Sequence, residues 1–157
     1  MEIRQIAAHD LHWIRQTLRD HWGSTSVVVR GRVYHAERLQ GFVAVDRNEN
    51  IGLVTHSIDG DGCEIVTLNS LKENQGIGTE LLNAVVAVAR HSKCRYIVLV
   101  TTNDNHRAMR FYQMRGFALK ALHRDSMEQA RKQKPEIPLM GIDGIPIRDE
   151  IEMELKL

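Results

Sequence analysis

Three sets of residues in this chain have the types and spacing for chemistry. The first is Leu68-Asn69-Ser70-Leu71-Lys72-Glu73-Asn74-Gln75-Gly76-Ile77-Gly78-Thr79-Glu80-Leu81-Leu82. An apolar run, Ile65 to Leu68, precedes a polar turn, and two glycines then flank Ile77. Apolar residues recur afterwards at Ile77, Leu81, Leu82, Val85, Val88 and Ala89, one face of a helix. A helix start holds unpaired N–H groups and the positive end of the dipole. Glycine there lets an anion approach the backbone unobstructed. The chemistry implied is capture of a pyrophosphate between strand and helix. A P-loop would need Lys and Ser/Thr directly after its last glycine, where Thr79 and Glu80 stand. A dinucleotide fingerprint would need a third glycine in place of Leu81. The glycines alone also fit a plain turn before an ordinary helix.

The second set is Asn103-Asp104-Asn105-His106-Arg107-Ala108-Met109-Arg110-Phe111-Tyr112-Gln113-Met114-Arg115-Gly116-Phe117. Asn103 or Asn105 can cap a helix here, and Gly116 can end it with Arg115 in its last turn. Ala108, Phe111, Tyr112 and Arg115 share one helical face, which could simply fill core. The third set is two titratable side chains. Glu64 lies in the strand before the loop and His56 in the strand before that. Glu64 also fits a surface carboxylate beside the Gly60-Asp61-Gly62 turn, and a lone His56 is more often structural. His9 and His12 lie within one turn, yet no carboxylate or cysteine set completes a metal site, so exposed histidines are expected.

The elements that must position these residues follow in a mixed order. Ile3 to Ile6 reads as a strand, and Leu11, Ile14 and Leu18 mark a helix stopping near Gly23. Val27 to His35 suits a small hairpin. Gly41 to Asp46 and Ile51 to Ile58 read as strands joined by Arg47-Asn48-Glu49-Asn50, and Cys63 to Leu68 as the next. The helix after Gly78, a strand over Tyr96 to Thr101 and the helix ending at Gly116 come next. Phe117 to Leu122 suits a strand, and Ser126 to Gln133 a short helix. Pro135, Pro138, Gly141, Gly144 and Pro146 mark a long loop. Ile147 to Leu157 alternates, with Ile151, Met153, Leu155 and Leu157 on one face and charged residues on the other, as in a half-exposed antiparallel strand.

The length, 157 residues, suits a single domain over residues 1–157 with one sizeable core. Hydrophobic residues make up 43% and charged residues 26%, ordinary values for a globular chain. With 21 basic against 20 acidic residues the formal net charge is +1, which gives no electrostatic footprint for nucleic acid. No apolar stretch is long enough to span a bilayer, and the first residues lack a signal peptide's apolar core. Cys63 and Cys94 make no disulfide framework and read as reduced residues of a cytoplasmic protein.

Together the first two sets resemble the GCN5-related N-acetyltransferase (GNAT) family. The run from Glu73 to Gly78 is similar to its acetyl-CoA loop, Gln/Arg-x-x-Gly-x-Gly/Ala, with the glycine positions on Gly76 and Gly78. The leading Gln/Arg position falls on Glu73, a departure that puts negative charge near the pyrophosphate. The pattern Asn-x-x-Ala-x-x-x-Tyr-x-x-x-Gly-Phe matches Asn105, Ala108, Tyr112, Gly116 and Phe117. The resemblance implies an α/β fold: a central mixed, largely antiparallel sheet flanked by helices, with its central strands splayed apart. It implies an acetyltransferase that moves an acetyl group from acetyl-CoA to a primary amine by direct attack. In that scheme Leu68 and Ser70 offer main chain to the pantetheine arm. Gln75, Gly76, Ile77, Gly78 and Thr79 hold the pyrophosphate, and Asn105 touches pantetheine or steadies its helix. Tyr112 protonates or hydrogen-bonds the leaving sulfur, and Glu64 is the candidate base. Trp22 to Gln40 would shape the acceptor site, with Arg30 and Arg32 able to attract an anion, or else simply solvated on a small hairpin. The resemblance leaves room for a homodimer and leaves the amine unnamed. A binding module that holds an acyl-CoA without turnover is the alternative, and Glu73 favours it.

Overall fold

The computed structural model describes residues 1–157. In chain order the strands are β1 (Glu2–Gln5), β2 (Ser26–Val29), β3 (Arg32–His35), β4 (Gln40–Asp46), β5 (Glu49–Asp59), β6 (Gly62–Ser70), β7 (Tyr96–Thr102), β8 (Ala118–His123) and β9 (Glu150–Lys156). The helices are α1 (Leu11–Trp22), α2 (Ile77–His91), α3 (His106–Gln113) and α4 (Ser126–Gln133). Seven strands form one sheet in the order β1-β4-β5-β6-β7-β9-β8, and β2 and β3 form a separate hairpin. Only the β6–β7 pair is parallel, joined by a crossover through α2. The expected mixed, largely antiparallel sheet is therefore present.

Residue alternation sorts the core onto the two sheet faces. Ala44, Val54 and Ile65 meet Ile77, Leu81, Leu82, Val85 and Ala89 of α2, with Tyr112 and Phe117 beside them. Val43, Leu53 and Val66 point the other way, onto Ile14 and Leu18 of α1 and Val27, Val29 and Tyr34 of the hairpin. Leu81 is wholly buried. Truncating such a side chain to alanine costs about 2–5 kcal/mol, which is why the 3.6-residue period survives in α2.

Tight turns account for several boundaries. Arg47 and Asn48 both adopt positive φ, as do Arg30 and Gly31. Each pair forms a two-residue turn whose twist matches its strands. Glu49 and Asn50, read above as turn residues, consequently begin β5. Gly23 takes φ +79° and stops α1 where expected.

The C-terminal strand differs from its sequence reading in two ways. It begins at Glu150 rather than Ile147, because the Asn103 side chain claims the N–H groups of Arg148 and Asp149. It also lies between β7 and β8, and its charged face is partly covered. Glu150 is buried and accepts the Arg30 N–H, and Glu152 pairs with Arg30 at 3.3 Å and with His123. Alternation read along one strand does not reveal that a hairpin from a distant segment caps its polar side.

Candidate active site

The site begins where two strands part. β6 and β7 pair only from Gly62–Tyr96 to Ile65–Leu99. Beyond that point β6 runs on to Ser70 paired with β5 alone, and β7 to Thr102 paired with β9 alone. A bulge sharpens the divergence. Thr55 pairs with Thr67 and His56 with Ile65, so Val66 has no cross-strand partner and β6 bends there.

A cleft of about 720 Å³ opens at this divergence, on the α2 side. Leu68, Ser70 and the run from Gln75 to Thr79 all line it. The turn places Gly76 at φ +72°, a left-handed cap with open space where a side chain would be. The first intrahelical bond runs from the Glu80 N–H to the Gly76 carbonyl. The N–H groups of Ile77, Gly78 and Thr79 therefore precede the helical ladder, at the positive end of α2. The Ile77 side chain is buried in the core, so only its backbone can serve the cleft. A Cβ on Gly78 would stand 3.2 Å from the Phe111 ring, which forms the opposite wall.

Helix α3 supplies that wall. Asn105 caps it, its Oδ1 accepting the Ala108 N–H at 3.1 Å. Asn105 itself does not line the cleft, whereas Arg107, Ala108, Phe111, Tyr112 and Arg115 do. Tyr112 is 7% exposed and held edge-on between Phe111 and Phe117, with ring centroids 5.0 and 5.3 Å away. Burial raises its phenol above the ordinary range. Such a hydroxyl keeps its proton and acts as a hydrogen-bond donor.

Glu64 and Tyr34 meet on the other face of the sheet. Glu64 sits in the paired part of β6, just before the divergence. It is partly buried rather than a surface carboxylate, and the buried Tyr34 hydroxyl donates to its Oε1. Burial pushes the Glu64 carboxyl upward, against the Tyr34 hydrogen bond and the Arg32 charge, which favour its ionised form. The Arg32 guanidinium lies 4.5 Å from the Tyr34 ring centroid. The hairpin carrying Tyr34 is held from behind by Lys134. This buried lysine donates from Nζ to the carbonyls of Trp22 at 2.6 Å and Ser26 at 2.7 Å. Trp22 in turn donates from Nε1 to Asn69 on β6 at 2.9 Å. His56 stands apart from all of this. It is 3% exposed, stacked on Phe42 with centroids 6.0 Å apart, and neither ring nitrogen has a partner.

Comparison with known proteins decides the family. The sequence pattern of the acetyltransferase (GNAT) family matches residues 7–117. The chain belongs to that family. Membership makes it an acetyltransferase. It is 44% identical over 141 residues to the uncharacterized protein YdhI of Bacillus subtilis (strain 168), across 89% of this chain and 88% of YdhI. Among solved structures it resembles an IAA acetyltransferase from Bacillus cereus ATCC 14579, with a TM-score of 0.72 and 19% identity across 99% of each chain. A Bacillus subtilis acetyltransferase solved in complex with CoA matches with a TM-score of 0.71 and 18% identity, again across 99% of each.

Sequence reasoning passed over two features of the site. The Tyr34–Glu64 bond spans thirty residues and leaves no local signal. The cationic lining of the cleft, Lys72, Arg107 and Arg115 against Glu73, had one clue. Arg115 shares its helical face with Phe111 and Tyr112, four and three residues earlier.

Proposed function

We propose that residues 1–157 form one catalytic domain that transfers an acetyl group from acetyl-CoA to a primary amine by direct attack. The observation that carries this reading is the cleft itself. The main chain of β6 left without its β7 partner, a glycine turn with free N–H groups and Tyr112 border one space of a size that suits a phosphopantetheine arm. Bound acetyl-CoA would supply an activated thioester carbonyl. Leu68 and Ser70 would meet the pantetheine amides as a missing strand would, with the Leu68 N–H facing the carbonyl oxygen. The N–H groups from Gln75 to Thr79 would receive the pyrophosphate. Asn105 would act through the α3 cap, which sets the height of Ala108 and Tyr112 along the cleft.

Protons are handled on both sides of the divergence. Attack requires a neutral amine, and Glu64, its carboxyl raised by burial, would accept a proton directly or through water. Tyr34 holds that carboxylate in position. On the opposite face Tyr112 donates a hydrogen bond to the departing sulfur. Full transfer from a buried phenol to a thiolate is uphill, so the hydrogen bond carries the role.

The competing reading, a binder without turnover, draws on Glu73 at the mouth of the cleft. One experiment separates the two. Purified protein is incubated with acetyl-CoA and a panel of primary amines, polyamines, amino acids and peptide N-termini, and free thiol is followed. Release above the amine-free rate supports the enzyme. A thermal shift with CoA but no release from any amine supports the binder, and no shift at all rejects both.

A further inference from the structure

The position that usually brings a polar or cationic side chain to the phosphate turn carries Glu73 in this chain. A compensating charge stands on α3. The Arg115 guanidinium lies 3.7 Å from the centroid of the Phe111 ring. Its Nε and Nη2 both donate to Thr79 Oγ1, at 2.9 and 2.7 Å, and its Nη1 donates to the Phe111 carbonyl at 2.8 Å. An arginine has five N–H donors. Three are spent inside the protein, and they fix the group against the first turn of α2. Two remain, one on each terminal nitrogen, and Arg115 lines the cleft beside the free N–H groups of Ile77, Gly78 and Thr79.

We propose that Arg115 is a specificity residue that reads the pyrophosphate of the acyl carrier, in place of the group missing at position 73. This rests on the acetyl-CoA reading above. A guanidinium already stacked and tethered loses little freedom on binding, so its remaining donors act at small entropic cost. The Thr79 hydroxyl accepts from Arg115 and keeps its own proton free for a phosphate oxygen. The consequence is discrimination. Carriers with the pyrophosphate gain the Arg115 contact, and carriers without it do not.

The test is calorimetric titration of wild type, Arg115→Gln and Arg115→Lys with CoA, dephospho-CoA and pantetheine. Arg115→Gln should weaken CoA and dephospho-CoA alike by about 10- to 100-fold, the range of a hydrogen-bonded charge, and leave pantetheine unchanged. Arg115→Lys should recover part of the loss, because it restores charge without the fixed fork, and this variant also serves if the glutamine protein folds poorly. Wild type should lose CoA affinity with added salt more steeply than Arg115→Gln. Equal weakening of all three ligands would overturn the proposal by making Arg115 a scaffold tie. Loss confined to CoA would overturn it by moving the contact to the terminal phosphate. Unchanged CoA binding in both variants would overturn it while leaving the acetyl-CoA reading intact. Failure of wild type to bind CoA would overturn that reading too.

Discussion

On the α2 side of the sheet a cleft stands open, its walls set by local sequence: a glycine turn, a helix start and one face of α3. On the α1 side the groups are joined across long stretches of chain and largely covered. Tyr34 reaches Glu64, Arg30 reaches Glu150 and Glu152, and Lys134 reaches Trp22 and Ser26. The contrast follows from what each side is proposed to bind. A carrier whose arm and phosphates are constant can be met by backbone geometry, which few sequences supply and which therefore leaves a motif. An acceptor is met by side chains brought together by the fold, and no spacing rule records them. In this scheme the α2 face sets affinity for the carrier whatever the acceptor, and the opposite face sets proton removal and acceptor choice.

The strongest blow to that division should come from Gly78→Val. Even the first added carbon would crowd Phe111, and the branches would fill the anion's approach. A native-state ligand at 100 times its dissociation constant adds about 2.7 kcal/mol of stability. That CoA-dependent rise in melting temperature should vanish in the variant, while the ligand-free protein still unfolds cooperatively. A normal rise would mean that the turn is not the phosphate site.

Next in size is Tyr112→Phe. The ring packing between Phe111 and Phe117 is kept and only the hydroxyl goes. Turnover on the amine found by screening should fall about 100-fold, the lower end for proton assistance, with CoA affinity unchanged. Near-normal turnover would assign Tyr112 to the core. The two faces then separate cleanly if Tyr34→Phe behaves otherwise. Loss of the Tyr34 hydrogen bond removes a group that favours ionised Glu64, so its carboxyl should rise further. The acidic limb of kcat/KM against pH should shift to higher pH in Tyr34→Phe and disappear in Glu64→Gln, with CoA binding unaltered in both. A profile that ignores both changes would remove Glu64 from the reaction.

What could be read in the sequence tracks the same divide. Gly76, Gly78 and the α2 face were legible because their reasons are local: positive φ, an uncrowded helix start and a 3.6-residue period. Glu64 and His56 could be named as candidate bases only through the family resemblance, and their surroundings depend on strands that meet only after folding. Glu64 meets a phenol from the hairpin. His56 meets Phe42, and its buried imidazole is depressed below the ordinary range by loss of solvent. Because the folded protein resists this protonation and the unfolded chain accepts it, stability should fall as pH drops below about 6.5 toward the lowered folded value. His56→Leu should flatten that acid slope of melting temperature without touching turnover at neutral pH. An unchanged slope would place the acid sensitivity in other groups. The buried Glu150 shows the limit most clearly, since alternation put it on a polar face and the hairpin's Arg30 N–H reaches it from 120 residues away.

The smallest expected effect bears on the cofactor face. Glu73 lines the cleft, exposed, among Lys72, Arg107 and Arg115. Its charge opposes the phosphates, yet three cations share the space, so its removal should sharpen an existing site rather than create one. An exposed charge near a helix start changes binding by about 2- to 5-fold. Glu73→Gln should tighten CoA by that factor at low salt, and the gain should shrink at high salt as screening grows. The effect belongs to the nucleotide end, so pantetheine affinity should not move, nor should the pH profile that Glu64 sets. Combined with Arg115→Gln, the gain should persist, because a repulsion removed does not require the arginine. If Glu73→Gln instead weakens CoA, Glu73 organises one of the nearby cations, and the cleft depends on that pairing more than on its backbone.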